Sequence, residues 1–303
     1  MSVADVRLAD DAQDNRGHNS VDFRHISVTP IAGACGAEIG GVDLNTLDAE
    51  TVSEVRRAFL AHKVIFVRDQ TLTPEAHKAF GRHFGTLNIH PQYVHLDGDE
   101  EILPIVKEPA DQHNIGGVWH SDVTFLERPA LGSMLYGIEV PAVGGDTMFA
   151  DQQAAYDALS DGMKEMLDGL MALHSDRTLS DPAEVARRNA TRSTKITAEA
   201  VGKPPIENLH PVVRTHPDTG RKGLFVNKAF TLRFDGMTEE ESKPLLEFLY
   251  AHAVRPEFTC RVRWTPGSLA FWDNRCLMHY ALNDYPGERR YMHRVTVDGD
   301  RPV

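Results

Sequence analysis

Apolar and polar positions alternate in short stretches over much of the chain, and glycine-containing turns separate these stretches. Alternation with a period of two is typical of β-strands buried on one face, whereas short uninterrupted apolar runs fit strands buried on both faces. The stretches with these patterns are HISVTPIAGACGAEIGGVDL from His25, VIFVRD, LGSMLYGIEV, EFTCRVRW, SLAFWD and RVTVDG. A further strand is expected near Trp119–Phe125.

Helical spacing of apolar residues interrupts the strands. A first helix is predicted by apolar residues three and four positions apart, namely Val52, Val55, Phe59 and Leu60. A second helix begins at Thr73-Pro74, because threonine caps helices and proline is tolerated at the first helical position. Residues 151–173 return to helical periodicity. Thr238 and Glu241 have the spacing of a capping box, which predicts the start of a last long helix.

Many short strands with helices scattered among them favour a mainly β fold, either an antiparallel two-sheet sandwich or a jelly roll with flanking helices. A doubly wound α/β fold is disfavoured, since neither GxGxxG nor GxxxxGK[ST] occurs. Residues 1–24 are polar and acidic, which predicts a flexible tail before a single domain over residues 25–303. Within this domain, residues 174–210 are polar and contain prolines, which predicts a mobile lid or insertion.

The composition restricts the compartment and the partners. The chain has 303 residues with 32 basic and 44 acidic side chains, a net charge of −12 at pH 7. This charge disfavours nucleic acid and anionic membrane surfaces, because both repel an acidic protein. The cysteines Cys35, Cys260 and Cys276 are odd in number and widely spaced, so a disulfide framework is not expected. The start of the chain does not have the pattern of a signal peptide, and no apolar run reaches about 20 residues. A cytoplasmic protein is therefore predicted.

Fifteen histidines direct attention to metals. A His-x-Asp pair can supply two ligands of a two-histidine, one-carboxylate iron site, since residues i and i+2 of a strand point the same way. The spacing occurs at four places, which begin at His95, His120, His174 and His216. Turn sequences surround His95 and His216, and His174 is expected to end a helix. His120–Asp122 lies in a predicted strand and is the preferred candidate.

A second cluster, FWDNRCLMHYALNDYPGERRYMHRVTV, contains His279 as a candidate third ligand. Arg290 and Arg294 follow it beside a strand that is predicted to be buried. Because arginine keeps its charge, a buried arginine requires an anionic partner. That partner is either a structural carboxylate of the protein or a bound carboxylate, sulfonate or phosphate.

The motifs WHSDVTF, GGDT and WDNRCLMHYALNDY…RRYMHRVTV, at these spacings, resemble the taurine dioxygenase-type (TauD/TfdA) family of Fe(II)- and 2-oxoglutarate-dependent dioxygenases. HPVVRTHPDTGRKGLFVN and IHPQY extend the resemblance over nearly the whole chain, from about residue 28 to residue 303. The resemblance implies a double-stranded β-helix (jelly roll) that uses Fe(II), 2-oxoglutarate and O₂. Many family members are oligomers, so it also implies a homo-oligomer, either a dimer or a tetramer.

Position by position, the resemblance implies that His120, Asp122 and His279 ligate Fe(II), with no catalytic residue beyond the metal site. Thr147 of the GGDT motif and Arg290 would hold the distal carboxylate of 2-oxoglutarate. The substrate-pocket positions are His90, Tyr93, the backbone of Val123, Phe230 and Arg294, which would meet the substrate anion.

One position departs from the taurine-binding pattern: Gly116 stands four residues before His120, where that pattern has asparagine. The first interpretation is hydroxylation of a small organic anion next to its heteroatom group, with an alkyl sulfonate giving sulfite and an aldehyde. The missing side chain opens space, which leaves an alkyl sulfate ester or an aryloxyalkanoic acid as the alternative. A metal-dependent hydrolase or a non-catalytic jelly-roll binding protein is a more remote hypothesis, and a hydrolase gives Thr147 and Arg290 no role.

Overall fold

The computed structural model describes residues 23–303, so most of the predicted N-terminal tail lies outside the described residues. The strands are β1 Ser27–Pro30, β2 Ala37–Gly40, β3 Val64–Val67, β4 Leu87–Asn88, β5 Leu103–Lys107, β6 Gly132–Glu139, β7 Thr147–Asp151, β8 Met171–Ser175, β9 Glu207–Pro211, β10 Val213–Thr215, β11 Lys222–Leu224, β12 Thr231–Phe234, β13 Thr259–Val262, β14 Leu269–Asp273, β15 Leu277–Ala281 and β16 Arg290–Val297. The helices are α1 Ala49–His62, α2 Pro74–Arg82, α3 Gln152–Asp157, α4 Asp161–Leu167, α5 Arg177–Ser180, α6 Pro182–Thr191 and α7 Glu239–Ala253.

The largest sheet has the strand order β1-β2-β3-β14-β6-β16-β4, and β5 pairs with β16 as well. Side chains alternate along its central strand β14, as the strand pleat requires. Leu269 and Phe271 enter an apolar cluster with α1 and α2, whereas Ala270 and Trp272 enter a cluster with β7 and β15. Helices therefore cover one face of the large sheet, and the small sheet β13-β7-β15 covers the other. This is the sandwich arrangement that the sequence predicts.

A third group of elements extends the sandwich. The sheet β12-β8-β9 and the hairpin β10–β11 pack with α3 and α7 around a separate apolar cluster. The hairpin lies in the segment VVRTHPDTGRKGLFV, where a turn sequence predicts it. Among residues 23–303, no helix combines the length and apolar character that crossing a bilayer requires.

Two helix starts follow the predicted capping chemistry, and a third has a cap that was not predicted. The Thr73 side chain accepts a hydrogen bond from the Ala76 amide, directly before Pro74 at the first position of α2. Thr238 and Glu241 form the reciprocal bonds of a capping box at α7. Asp48 caps α1 through the Thr51 amide. Such caps satisfy amide groups that have no partner within the helix.

The predicted strand near Trp119–Phe125 is wrong. Residues 122–125 form a turn, and backbone pairing in this segment is limited to a single bridge at His120. The segment bonds to side chains and isolated carbonyls instead: the Ser121 hydroxyl donates to the Leu277 carbonyl at 2.7 Å. The strand that carries His279, β15, was not assigned from the sequence.

The segment 174–210 is also more structured than its composition suggests. His174 lies in β8 and does not end a helix, and the segment contains α5, α6 and most of β9. Asp181 caps α6 through the Glu184 amide, with Pro182 at the first helical position. The proline that reads as a loop signal is therefore a helix-start signal here. The movement of this segment as a lid stays a prediction.

Candidate metal centre

Backbone pairing brings the two candidate histidines together. The His120 amide donates to the His279 carbonyl at 3.1 Å, and the His279 amide donates to the His120 carbonyl at 2.7 Å. His120 thus acts as a one-residue extension of the small sheet beside β15. The ring centres of the two imidazoles lie 4.1 Å apart.

The turn after His120 returns Asp122 to the same point. One Asp122 carboxylate oxygen, Oδ1, lies 3.8 Å from His120 Nε2 and 3.9 Å from His279 Nε2. All three side chains are buried, and their donor atoms lie within 4.8 Å of one another. Two imidazole nitrogens and one carboxylate oxygen on one side of a cavity form the donor set that non-haem Fe(II) oxygenases use. The residues present therefore fit Fe(II).

The protonation states also suit a cation. Burial lowers the pKa of His120, and burial together with the neighbouring His120 lowers the pKa of His279 to about 3. Both imidazoles are neutral near pH 7, which is the form that binds metals. Burial alone would raise the pKa of Asp122, but the Arg294 guanidinium and the two histidines outweigh it and hold that carboxyl well below its usual range.

Hydrogen bonds orient the ligand atoms. His120 Nδ1 donates to the Val118 carbonyl at 2.7 Å, which leaves Nε2 with its lone pair directed toward Asp122. The second oxygen of Asp122, Oδ2, accepts from the Ser133 hydroxyl at 2.7 Å and from Asn274 Nδ2 at 3.4 Å. Asn274 Oδ1 also accepts the Asp122 amide. Partners of this kind fix ligand orientation and raise metal affinity.

Asn274 and Ser133 were missed at the level of sequence. Asn274 belongs to the WDNR motif, where Trp272 and Asp273 end β14 and the chain turns toward β15. A turn asparagine is ordinarily explained by its own backbone, so nothing local indicates that it reaches a carboxylate 152 positions earlier.

A second set of side chains anchors the turn that carries Asp122. The Thr124 hydroxyl contacts His174 Nδ1 at 2.9 Å and accepts from Asn227 Nδ2 at 3.1 Å. His210 Nε2 donates to the Leu126 carbonyl at 2.9 Å. Strands β8 and β9 and the loop before β12 therefore hold the turn that carries Asp122 in place.

One cavity connects the candidate metal centre with Arg290. We call the part beside His120 and His279 the metal end and the part beside Arg290 the Arg290 end. The cavity is lined by residues that include His120, His279, Gly116, Thr147, Arg290 and Arg294. Arg290 is 3% exposed, and its Nε and Nη2 atoms find no hydrogen-bond partner among residues 23–303. Burial lowers its pKa, yet a guanidinium keeps its charge in proteins. A buried fork of free N–H groups fits a carboxylate.

Two further side chains shape the Arg290 end. Lys107 lies directly opposite Arg290 across β5 and β16, and it is equally buried. Its Nζ contacts the Tyr285 ring at 4.6 Å, and neither cation forms an ion pair within the described chain. The Thr147 hydroxyl accepts a hydrogen bond from Trp264 Nε1 at 3.0 Å, which leaves the hydroxyl hydrogen free to donate. This end of the cavity therefore carries a positive charge that the described chain does not neutralise.

The predicted substrate residues collect around the metal end. The Phe230 ring lies 6.4 Å from the His120 ring, and His90 contacts Tyr93 edge-on at 4.9 Å. Val123 has a φ of +47°, which is costly for a β-branched residue and marks a constrained backbone. Arg294 Nη1 lies 3.1 Å from Asp122 Oδ1, so this arginine already has a carboxylate partner, while its Nε finds none in the described chain.

Gly116 leaves space beside a candidate ligand. Its φ is +81°, and a Cβ at this position would lie 3.3 Å from His120 Cε1 and 3.5 Å from Ala281 Cβ. A larger side chain here would therefore border the metal end of the cavity and would adopt a left-handed backbone conformation.

The other His-x-Asp positions do not form comparable sites. His216 lies near Asp273 and Cys276, and its Nε2 contacts Asp273 Oδ2 at 3.0 Å. Arg275 binds both oxygens of Asp273, at 2.8 and 2.7 Å. The Asp273 carboxylate is thus already neutralised, which explains this cluster as a structural ion pair.

Known proteins are similar to this chain in sequence and in structure. Residues 27–296 match the profile of the family described as taurine catabolism dioxygenase TauD, TfdA family. An alpha-ketoglutarate-dependent sulfate ester dioxygenase of Pseudomonas putida is 37% identical over 287 residues, which cover 92% of this chain and 91% of the relative. An alkylsulfatase of Acinetobacter baylyi is 33% identical over 287 residues, with 91% and 86% covered. The crystal structure of a taurine dioxygenase from Burkholderia xenovorans superposes with a TM-score of 0.77 at 37% identity, covering 92% of this chain and 91% of that one.

Proposed function

Because the chain belongs to the taurine catabolism dioxygenase TauD/TfdA family, we propose that it oxidises a small alkyl anion at the carbon next to a sulfur oxyanion group. The enzyme is an Fe(II)- and 2-oxoglutarate-dependent dioxygenase with a jelly-roll fold. The observation that carries the proposal is one cavity that joins a two-histidine, one-carboxylate donor set to a buried arginine with free N–H groups.

His120, Asp122 and His279 would hold Fe(II) beside the cavity that His120 and His279 line. Arg290, with the Thr147 hydroxyl beside it, would bind the distal carboxylate of 2-oxoglutarate. Fe(II) with 2-oxoglutarate and O₂ supplies the oxidising chemistry and releases succinate and CO₂. The chain's own contribution is to orient both reactants and to exclude water, as is usual when a cofactor carries the reaction.

The substrate anion would lie against Val123, His90 and Arg294. Arg294 is only partly available, since Nη1 contacts Asp122, but its Nε is free to donate. His90 is neutral near pH 7 because burial lowers its pKa. A neutral imidazole and a cation can donate hydrogen bonds to sulfate or sulfonate oxygens.

We place alkyl sulfate esters first among the substrates. A sulfate ester has one more atom between sulfur and the reacting carbon than a sulfonate, and Gly116 leaves space beside His120. Two relatives named above carry sulfate ester or alkylsulfatase activity in their names. Hydroxylation of R–CH₂–OSO₃⁻ gives R–CH(OH)–OSO₃⁻, which loses sulfate to leave the aldehyde R–CHO.

Alkyl sulfonates are the second candidate, because the chain is equally similar to a solved taurine dioxygenase. In that case the hydroxylated product loses sulfite and leaves an aldehyde. Aryloxyalkanoic acids would be cleaved at the ether by the same hydroxylation.

The test is succinate release from 2-oxoglutarate with Fe(II), ascorbate and air, over a panel of alkyl sulfates, alkyl sulfonates and aryloxyalkanoic acids. Alkyl sulfates should stimulate succinate release above the substrate-free rate, with sulfate as the second product. A His120→Ala variant should release no succinate. Stimulation by sulfonates alone would overturn the sulfate ester assignment, and iron-loaded wild-type protein without any turnover would overturn the proposed site.

Gly116→Asn tests the role of the missing side chain. Asparagine tolerates a positive φ better than other side chains, so the variant should fold and its amide should border the substrate. The ratio of taurine to alkyl sulfate turnover should rise. Gly116→Ala is the matched control, since it adds the Cβ and the backbone strain without the amide. An unchanged ratio in Gly116→Asn would exclude this explanation of substrate choice.

The predicted lid, residues 174–210, contacts the predicted substrate pocket. Tyr93 pairs with Ile196, and the Thr197 amide donates to the Gln92 carbonyl at 2.8 Å. We propose that closure of this segment over the substrate strengthens these contacts. Limited proteolysis should cut the segment more slowly when Fe(II), 2-oxoglutarate and substrate are all present, and unchanged cutting would contradict the proposal.

We also propose that the protein works in the cytoplasm as a homo-oligomer. All three cysteines are free and buried, as a reducing compartment allows. The oligomer is supported by the family resemblance alone. Light scattering should give a mass that is two or four times 33.7 kDa, and a monomer mass would reject it.

A further inference from the structure

Two of the buried cysteines touch each other. Cys35 Sγ and Cys260 Sγ lie 3.4 Å apart, and the residues are 3% and 4% exposed. Cys35 lies in the loop between β1 and β2 at the edge of the large sheet, whereas Cys260 lies in β13 at the edge of the small sheet. Gly36 makes the approach possible, because a Cβ there would lie only 3.0 Å from Cys260 Sγ.

The thiol pair lies in line with the candidate metal centre. Across the small sheet, Cys260 is directly opposite Phe149, and Phe149 is directly opposite His279. Directly opposite residues point to the same face, so the three side chains form one row. Two strand spacings, about 10 Å, separate the Cα atoms of Cys260 and His279.

Aromatic rings fill the space between the two sites. The Phe149 ring is stacked near His279 at a centroid distance of 6.2 Å. Trp272 lies 4.7 Å from the His279 ring and 5.7 Å from Phe149. Cys35, Cys260, Phe149 and Trp272 belong to one apolar cluster. A continuous path of packed aromatic side chains, which includes the oxidisable indole of Trp272, therefore runs from a candidate iron ligand to the cluster that contains the thiols.

Oxidants in bulk solvent should react slowly with this pair of thiols. Both sulfur atoms are buried, and the hydrogen bond with Cys260, together with burial, raises the pKa of the Cys35 thiol. Thiolates react with peroxides and disulfides far faster than thiols do, so external oxidants should react slowly here. An oxidant that arises inside the protein does not meet this restriction.

We propose that Cys35 and Cys260 form an oxidation site that is converted to a disulfide when the enzyme consumes 2-oxoglutarate without a primary substrate. The inference rests on the proposed iron site. In such uncoupled turnover, the thiols supply the two electrons that the substrate C–H bond would otherwise provide, and their two protons convert the remaining oxygen atom to water. The balance is 2-oxoglutarate + O₂ + two R–SH → succinate + CO₂ + R–S–S–R + H₂O. Both S–H bonds break, one S–S bond forms, and one oxygen atom of O₂ leaves as water.

The disulfide would connect the two sheets of the sandwich at their edges. The sulfur atoms would have to approach from 3.4 Å to the bond length of about 2.0 Å. A dithiol reductant of the thioredoxin class would restore the thiols in a reducing compartment. The pair thus acts as a rechargeable reductant that protects the metal site during uncoupled turnover.

The experiment starts from reduced holoenzyme, to which 2-oxoglutarate and air are added without primary substrate. After the thiols are blocked with N-ethylmaleimide, non-reduced digests are analysed by mass spectrometry. The expected result is a linked Cys35–Cys260 peptide, with about one disulfide per succinate at the start of the reaction. An alkyl sulfate that stimulates turnover should suppress it. Cys276→Ser is the matched control and should retain the link, whereas Cys35→Ser should lose it and inactivate in fewer uncoupled turnovers.

The outcomes separate this inference from the proposed function. If succinate is released without primary substrate but no linked peptide forms, the proposed thiol oxidation is wrong, whereas the proposed iron site is still supported. If the linked peptide forms equally fast in His120→Ala, the proposed thiol oxidation is also wrong, since the oxidant would then come from solvent. If iron-loaded protein releases no succinate at all, both the proposed iron site and the proposed thiol oxidation are wrong.

Discussion

The two ends of the cavity differ in how completely the protein neutralises its own charges. At the metal end, Asp122 accepts hydrogen bonds from Ser133, Asn274 and Arg294, so its carboxylate is compensated before any metal binds. At the other end, Arg290 is buried with free N–H groups and without an ion pair in the described chain. The metal end is complete as a protein structure, whereas the Arg290 end is complete only with a bound anion.

The metal end is therefore preorganised by the protein itself, whereas the Arg290 end is stabilised only when an anion binds. Holding a carboxylate and two neutral imidazoles within a few ångströms is tolerable in the absence of metal, because Arg294 provides the positive charge. A buried cation without a partner costs free energy, which is recovered when a carboxylate binds. Binding of 2-oxoglutarate should therefore stabilise the fold more than its contact area alone would suggest.

The largest effect is expected when a candidate ligand is removed. His279→Ala deletes one of three protein ligands, so Fe(II) binding and succinate release should both fall to background. Calorimetric titration of Fe(II) or Co(II) into the apoprotein measures the binding. His83→Ala, at an exposed position after α2, is the matched control and should behave as wild type. Normal metal affinity in His279→Ala would exclude His279 as a ligand.

Replacing each arginine by methionine should reveal the contrast between the two ends directly. Arg294→Met leaves the Asp122 charge buried without its main cation, and should destabilise the apoprotein by about 3–5 kcal/mol. Arg290→Met removes a buried cation that has no ion pair among residues 23–303, and should leave the apoprotein unchanged or more stable. Urea unfolding of metal-free protein gives both free energies. Equal destabilisation by the two substitutions would contradict the difference between the ends.

The same pair of variants sharpens the assignment of Arg290 when co-substrate is added. Wild-type protein should gain stability from 2-oxoglutarate, whereas Arg290→Met should gain almost none. Arg290→Lys should recover only part of the gain, because an ammonium cannot form the two parallel bonds of a guanidinium. Full recovery with lysine would indicate that charge alone is recognised.

A smaller effect is expected from the side chains that orient Asp122. Asn274→Ala removes an amide that contacts both the backbone and the carboxylate of Asp122. Metal affinity should fall about 10–100-fold, as measured by the same titration. Asn283→Ala is the control, since Asn283 contacts an exposed carbonyl, that of Gln112. An unchanged affinity in Asn274→Ala would show that Ser133 and Arg294 hold Asp122 without it.

The sequence predicts which residues form the candidate site better than it predicts how the chain brings them together. His120, Asp122, His279 and Arg290 belong to motifs whose spacing and resemblance identify them, and the mainly β fold follows from short apolar runs such as that of β14, which is buried on both faces. The route by which Asp122 reaches the histidines could not be predicted from periodicity, because it is a turn and not a strand. Its partners come from sequence positions far away, and such contacts leave no local pattern.

The same limit applies to the segment 174–210 and to the thiol pair. Asp181-Pro182 is read as a loop when composition is considered alone, but as a helix start once the cap is seen. Cys35 and Cys260 are 225 positions apart, and their contact depends on the packing of one sheet edge against another. An odd cysteine count and long spacings therefore argue against a disulfide framework, but they do not argue against a close pair of thiols.

The last predicted effect concerns acid, and it acts through the turn that carries Asp122. His174 contacts Thr124 in the turn that carries Asp122, and burial together with the neighbouring His210 lowers its pKa from 6.5 to about 3. Between these values the unfolded chain binds a proton that the folded protein excludes. The stabilisation is therefore fully present above pH 6.5 and is lost as the pH falls toward 3, at up to about 1.4 kcal/mol per pH unit. In urea unfolding of the apoprotein between pH 4.5 and 7, His174→Gln should show a shallower pH dependence than wild type. If the free energy of unfolding has the same pH dependence in both proteins, His174 does not contribute to the acid sensitivity of the fold.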